Sequence, residues 1–398
     1  MLGGGGVANA VIGLANAQAE LGAEVLITGK EAPGYHLPPL VHPSIRTHFW
    51  RQRASTFLGR IVRPGPRPAE FDALRQFKPD VVHVHGEFNP DNLCVAARID
   101  CPLVVSPHGC FHPGVFDKRR SSQKRLYFRL ARRLLYRHAT MHASSPLEAT
   151  HISALLPNQN VYCATLGPGV QSPAAVGAAR ELRSPGPKLV FVGRLDIYTK
   201  GLDILLEAFA IARRGQQARS ATLHLVGSDQ CGSRRRLELL VKSLELSDHV
   251  TFHGQASPAE VARFLADADV YVQLSRHEGF GLSVVEALFA GLPAVLSDGI
   301  GVVSYPEVSG LPHVLVVKPE IEAAAQAIAR AIADRALLRE QALTHVNALR
   351  DFFSWESTAA QQLVQYGTIA RPSISDDPSA PAVDATPGRG SPVGSAGR

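Results

Sequence analysis

Short apolar runs recur along the chain, separated by longer stretches whose apolar positions fall at helical spacing. In the first half the runs cover residues 23–28, 81–85, 103–106, 140–144 and 161–166. Their length, and the Val, Ile and Leu in all of them but 140–144, predict strands. Residues 7–21, 69–77 and 125–136 carry the helical pattern, and Gly22 stands where the first helix would stop. The rhythm resumes with strands at 189–192, 222–226, 250–252, 270–274, 294–296 and 314–317. Helices are predicted at 204–213, 234–244, 258–266, 283–290 and 320–333, with a last one at 355–366. Such alternation predicts an α/β fold of βαβ units with parallel sheets.

The pattern divides the chain into two doubly wound, Rossmann-like domains expected to face each other across a cleft. Residues 1–170 form the first, 171–187 a Pro-bearing linker, and 188–350 the second. Residues 351–366 are expected to cross back to the first domain. Residues 367–398, rich in Pro, Gly, Ser and Ala, are expected to be disordered. Open sheets of this kind bind ligands beyond the C-terminal ends of their strands. At the start, Met1 and Leu2 lead directly into Gly3, Gly4, Gly5, Gly6 and a helix. A glycine loop that opens a helix ordinarily follows a strand, so the expectation is a start upstream of Met1 or a first domain without its first strand.

Composition narrows the classes. With 398 residues, 45% hydrophobic and 19% charged, the chain is globular and neither collagen-like nor disordered overall. Its five cysteines form no CxxC pair, which argues against a disulfide framework or zinc knuckle and for a reducing, cytoplasmic setting. No uncharged apolar run reaches the ~18–20 residues of a membrane span, and no secretory signal is visible. Any membrane contact is then expected to be peripheral, on the inner face of the plasma membrane. The net charge of +6 is concentrated: residues 117–138 hold nine Lys/Arg against Asp117 alone.

Two segments carry candidate chemistry. The first runs Arg276-His277-Glu278-Gly279-Phe280-Gly281-Leu282-Ser283, continuing to Glu286. It leaves the strand at 270–274 and opens a helix near Ser283. Gly279 and Gly281 permit a tight turn and close ligand approach, and the helix start suits a diphosphate. Glu278 and Glu286 could accept hydrogen bonds from sugar and ribose hydroxyls; the plainer reading is an ordinary loop with a solvated Glu278. The second segment, 191–203, places Arg194 and Lys200 around one loop. They could converge on phosphate oxygens, or be solvated surface cations.

Together these segments resemble the retaining, GT-B-fold glycosyltransferases of family 4, which also show likeness to glycogen and sucrose synthases. Glu278-x7-Glu286 and Gly193-Arg194…Lys200-Gly201 carry the resemblance. Pro107-His108-Gly109, the glycine run and Phe353-Ser354-Trp355-Glu356 extend it over residues 3–366. Residues 106–113 with Met141-His142-Ala143-Ser144-Ser145…Glu148 look most like members that build bacterial exopolysaccharides. The resemblance implies a nucleotide-diphosphate-sugar as co-substrate, no cofactor or metal, and a glycan or lipid-linked glycan acceptor. It implies that Glu286 holds the ribose, Glu278 contacts the donor sugar, and Arg194 and Lys200 bind the diphosphate. Gly279, Phe280 and the backbone of Gly281, Leu282 and Ser283 would complete that site. His108 would face the reacting sugar, and Gly4, Gly5 and Gly6 would cover the phosphates. Where the family often has Asn-Gly, this chain has Gly167-Pro168-Gly169, a change expected to affect only the linker turn.

Three further features compete for meaning. Asp267-Ala268-Asp269 spells the DxD string of metal-dependent transferases, but it ends a helix rather than a strand. His83, His85, His108 and His112 invite a zinc reading that no carboxylate or thiolate pattern completes. The basic stretch, including Arg125, Arg129, Arg132 and Arg133 among interleaved Leu and Phe, predicts an amphipathic helix. It would dock on an anionic membrane or be a solvated face; no nucleic-acid motif accompanies it. The rival readings of the whole chain are a nucleotide-sugar epimerase and a non-catalytic scaffold.

Overall fold

The computed structural model describes residues 6–30, 42–50, 70–86, 88–115, 121–169 and 186–370. Gly4 and Gly5, most of the linker and the tail from 371 lie outside them, as does any strand ahead of the glycine run.

The first half opens with α1 (Gly6–Glu20), followed by β1 (Leu26–Lys30) and β2 (Arg46–Trp50), which pair in parallel. Next come α2 (Glu70–Phe77), β3 (Val82–His85), α3 (Pro90–Ala96), β4 (Leu103–Ser106), α4 (Ser121–Leu134), β5 (Ala139–Ala143), α5 (Pro146–Leu155) and β6 (Val161–Cys163). The last four strands form a second parallel sheet in the order β3-β4-β5-β6. β4 is buried at every position, which is why its sequence reads as continuous Leu-Val-Val rather than alternating.

The second half holds β7 (Lys188–Val192), α6 (Ile197–Lys200), α7 (Leu202–Ala212), β8 (Thr222–Val226), α8 (Ser233–Ser243), β9 (Val250–Gly254), α9 (Pro258–Asp267) and β10 (Val270–Gln273). It continues with α10 (Leu282–Phe289), β11 (Ala294–Ser297), α11 (Pro306–Ser309), β12 (Val314–Val317), α12 (Ile321–Ala333), α13 (Arg335–Phe352) and α14 (Trp355–Ala370). The sheet order is β12-β11-β10-β7-β8-β9, and every pairing is parallel. Alternation builds two cores: Leu189 and Phe191 point into the cluster under α7 and α12, while Val190 and Val192 point into the one under α10. Chain order reverses between β7 and β10, and at such a switch point the flanking loops open into a crevice.

α1 reads Gly-Val-Ala-Asn-Ala-Val-Ile-Gly-Leu-Ala, and its small residues let α14 approach closely. A Cβ on Gly13 would lie 2.3 Å from the Trp355 ring, and one on Gly167 would lie 2.5 Å from it. Trp355 Nε1 donates to Pro168 O at 2.6 Å, and Tyr366, near the other end of α14, bonds His83. The Gly167-Pro168-Gly169 turn is thus packed under Trp355, and its effect reaches beyond the linker.

β2, α3, α5, α13 and the one-turn helices α6 and α11 have no counterpart in the sequence-based expectation. β2 is a polar edge strand (Arg-Thr-His-Phe-Trp) with its first two residues exposed. α5 dilutes its apolar spacing with Thr150, His151 and Ser153, and is set by Ser145, which accepts the Glu148 N–H at 3.1 Å, followed by Pro146 at its first position.

Candidate active site at the cleft

Both motif segments leave the six-stranded sheet at its switch point. After β7, Gly193 turns the chain; a Cβ on neighbouring Gly227 would fall 1.8 Å from Gly193 O. Asp196 then caps the single turn of α6, accepting the Thr199 N–H at 2.9 Å and the Thr199 hydroxyl at 2.7 Å. Gly201 ends that turn at φ 61 with its Cα against Leu274 O, where a Cβ would sit 2.0 Å away. The outcome is a Lys200 side chain fixed in place: buried, and paired with Glu278. Arg194 is exposed and reaches Gln230 at 3.4 Å. The two cations predicted to act together therefore differ: one is locked to a carboxylate, the other is on the surface of the same loop.

After β10, Arg276 forms a two-pronged bond to Asp203 at 2.8 and 2.7 Å, a geometry that favours arginine over lysine. Glu278 is held by its backbone: its N–H donates to Gly299 O at 2.9 Å and its carbonyl accepts from Gly301 N at 3.0 Å. Gly281, at φ 107, starts α10, and a buried chain of Tyr271, Gln273, Ser275 and Ser283 lies beneath. Phe280 is buried in the core under α10, so it shapes the loop rather than facing the cleft. Gly6, first residue of α1, lies over Leu282, where a Cβ would be 3.6 Å from Cδ1. The N-termini of α1 and α10 thus meet at one place.

Glu286 sits in the second turn of α10 and turns toward the chain crossing, accepting the Gly169 N–H. A Cβ at Gly169 would be 2.3 Å from its Oε1, so only glycine permits this approach. Burial pushes the Glu286 carboxyl up to about 7, so near neutrality it is divided between its acid and its anion.

Across the cleft, His108 adopts φ 52 and Gly109 φ 79. Gly109 and Gly279 touch backbone to backbone: a Cβ on either would meet the other within 2.8 Å. That contact sets the backbone of His108 beside that of Glu278. His108 Nε2 bonds His85 Nδ1 at 3.0 Å, and behind them His83, Ser106 and His142 form a chain of 2.6 Å bonds. Burial holds His108 down to about 3 and His142 to about 4, and keeps His83 and His85 well below the ordinary imidazole value. His112 stacks on His277 from the opposite half at 4.4 Å. No group of three or more His, Cys, Asp or Glu side chains among the described residues is arranged to hold a metal ion.

The aspartates of the DxD string lie at the other end of the sheet, where Asp269 accepts the Lys188 N–H at 2.7 Å and Asp267 pairs with Lys188 Nζ at 2.6 Å. The sequence motifs give no role to Asp203 or Asp196, and they raise His85 only as a candidate zinc ligand rather than as the partner of His108. Asp203 and Asp196 lie in the matched segment, but their roles come from contacts the local sequence does not display.

Comparison with known proteins agrees with this geometry. Residues 178–344 match the family described as Glycosyl transferases group 1, and residues 5–169 match the Glycosyl transferase 4-like domain. The GDP-mannose:cellobiosyl-diphosphopolyprenol alpha-mannosyltransferase of Xanthomonas campestris is 31% identical over 265 residues, 66% of this chain and 66% of that one. The match thus spans just under two thirds of that relative's length. The phosphatidyl-myo-inositol mannosyltransferase of Mycobacterium tuberculosis H37Rv is 30% identical over 207 residues, 51% of this chain and 53% of its own. Sucrose-phosphate synthase from Thermosynechococcus elongatus superposes with a TM-score of 0.68 at 23% identity, covering 89% of this chain and 91% of that structure. Anabaena HepE, solved with UDP and glucose, gives 0.68 at 19%, covering 92% and 97%. Family domains matched in tandem over both halves, on parallel sheets whose loops meet at one cleft, make this chain a member of the group 1, family 4 glycosyltransferases with the GT-B fold.

Proposed function

We propose that the chain moves a sugar from a nucleotide-diphosphate-sugar to a hydroxyl of a glycan or lipid-linked glycan acceptor, keeping the anomeric configuration, in surface-glycan synthesis. The observation that carries this reading is the Lys200–Glu278 pair at the switch point, beside the start of α10 and across from His108. A diphosphate placed there would meet helix N–H groups, Lys200 and, with a side-chain swing, Arg194, which stabilise charge on the departing nucleotide. Glu278 would orient the sugar and Glu286 the ribose. No carboxylate is assigned as a nucleophile, so retention is assigned to front-face attack, with the leaving phosphate oxygen accepting the acceptor's proton.

The test is a donor panel of GDP-mannose, UDP-glucose and ADP-glucose, followed by nucleotide release with a sugar-diphosphopolyprenol acceptor. Acceptor-dependent release from one donor is the expected result. Conversion of the donor to its epimer without acceptor would replace this reading with the epimerase one. No donor binding and no release would leave the scaffold.

A second reading concerns the membrane. No helix among the described residues is long and apolar enough to cross one. On α4, Tyr127, Ala131 and Leu135 of the adjoining turn are buried, while Arg125, Arg129, Arg132 and Arg133 are exposed. Leu126 and Leu134 remain 46% and 49% exposed among them. Apolar side chains set within a basic face favour an anionic bilayer surface. Reversing Arg129, Arg132 and Arg133 to Glu should weaken binding to phosphatidylglycerol vesicles by at least about 100-fold, at ~1 kcal/mol per basic residue. Unchanged co-sedimentation would make the helix an ordinary solvated face.

A further inference from the structure

Glu148 has no place in the donor site, yet it is 3% exposed. From the first turn of α5, its Oε1 accepts the Gly109 N–H, and its Oε2 accepts the Ser144 N–H at 2.8 Å and the Ser144 hydroxyl at 2.6 Å. All three partners are donors. They satisfy a buried carboxylate that would otherwise be costly to enclose.

What this carboxylate holds is an unfavourable backbone. His108 and Gly109 are consecutive left-handed residues, and His108 carries a Cβ that disfavours that region. The same turn of α5 also grips the other half of the molecule. Ser145 donates to Gly279 O at 3.0 Å, and Leu147 N–H donates to Ser304 Oγ at 3.1 Å. Tyr305, next to Ser304, donates to Ser144 O at 3.1 Å. One helical turn thus bonds the His108 loop on one side and the Glu278 loop on the other, where Gly109 and Gly279 are in contact.

We propose that Glu148 is a positioning residue for sugar transfer: it holds the left-handed His108–Gly109 pair and so fixes His108 beside Glu278 across the closed cleft. The catalytic consequence rests on the transfer reading above; the hold on the loop does not. Glutamine cannot replace it, because one acceptor oxygen would face three donors and the amide NH2 would oppose at least one of them.

The test uses the full chain with Glu148→Gln, Glu148→Asp, His108→Ala and the double variant His108→Ala/Glu148→Gln. Amide exchange read by mass spectrometry over residues 107–111 reports the loop without any substrate. Glu148→Gln should speed exchange there by about tenfold or more, a change that needs only local opening. Glu148→Asp, which keeps an acceptor-only carboxylate on a shorter arm, should fall between and serves where Glu148→Gln does not fold. With the donor and acceptor that give wild-type turnover, Glu148→Gln should lower kcat about 10- to 100-fold with donor KM within about threefold, as expected for misplacement of a group near the reacting centre. In the His108→Ala background the same change should cost less than about twofold, since the residue it acts through is gone.

Unaltered exchange at 107–111 would overturn the proposal. So would an equal kcat loss with and without His108, which would mean a general structural role. Absence of turnover by the wild type with every donor would overturn the transfer reading instead, and the exchange result would still decide whether Glu148 holds the loop.

Discussion

Replacing Lys200 with Ala should lower the rate of sugar transfer about 10²–10³-fold, the loss typical of removing one preorganised donor to a developing anion. The effect should fall on kcat more than on donor KM, because the charge it meets grows as the nucleotide departs. Lys200 is placed for this by the Asp196 cap and the one-turn α6, and by Gly201, which only a residue without a Cβ can occupy against Leu274 O. Glu278→Gln should show a loss of similar size. The Lys200–Glu278 pair is not fully enclosed, since the Glu278 side chain is 24% exposed. Losing one partner should therefore cost about 1–2 kcal/mol of stability, below the ~3–5 of a buried pair. Nucleotide release under saturating donor, with thermal unfolding of each variant, separates the two effects. Wild-type kcat in Lys200→Ala would remove this residue from the site.

Acidification from pH 7.5 to 5 should destabilise the fold by several kcal/mol. The group responsible is the imidazole set His83, His85, His108 and His142, with His313 in the second half. All are held below the ordinary value, chiefly by burial; His142 and His313 reach about 4. Neither ring nitrogen of His313 has a hydrogen-bond partner. The unfolded chain takes up protons near pH 6.5 while the folded chain does not. Stability is thus fully present above that value and is lost as pH falls toward the folded-state values. At pH 5 His108, His142 and His313 each cost about 2 kcal/mol, since one pH unit of unmatched protonation is 1.36 kcal/mol, and His83 and His85 act in the same direction. Burial raises Glu286, to about 7, and also raises Glu148; both work the other way, because the folded form binds a proton first, and Glu286 alone offsets roughly one histidine. Urea midpoints at the two pH values measure the net change. His142→Gln should shrink the difference by about 2 kcal/mol; an unchanged midpoint between pH 7.5 and 5 would show that the cluster is not kept neutral.

Much of the candidate site in the second half was legible in the chain itself. Gly193-Arg194…Lys200-Gly201 and the 276–286 segment sit in loops that directly follow strongly apolar strands, so strand–loop–helix order and residue type suffice to place them. Elements marked by weak or interrupted periodicity were not legible. β2 is a short polar edge, and α5 depends on a capping serine and a proline rather than on an apolar stripe. α5 nevertheless carries Ser145 and Glu148, which bind both sides of the cleft.

The sequence by itself determined two α/β halves built on parallel strands, the loops that leave those strands, and the concentration of positive charge on α4. Those are consequences of local periodicity and residue chemistry, which neighbouring residues express directly. Only the tertiary structure decided which distant groups meet. It paired Lys200 with Glu278 across 78 positions and set Gly109 against Gly279. It turned Glu286 toward Gly169 and joined His83 to Tyr366 across 283 positions. These contacts arise where two sheets and a returning helix close on one cleft. Their physical determinant is the absence of a Cβ or the burial of a charge at a point where separate elements touch, and no stretch of local sequence displays that.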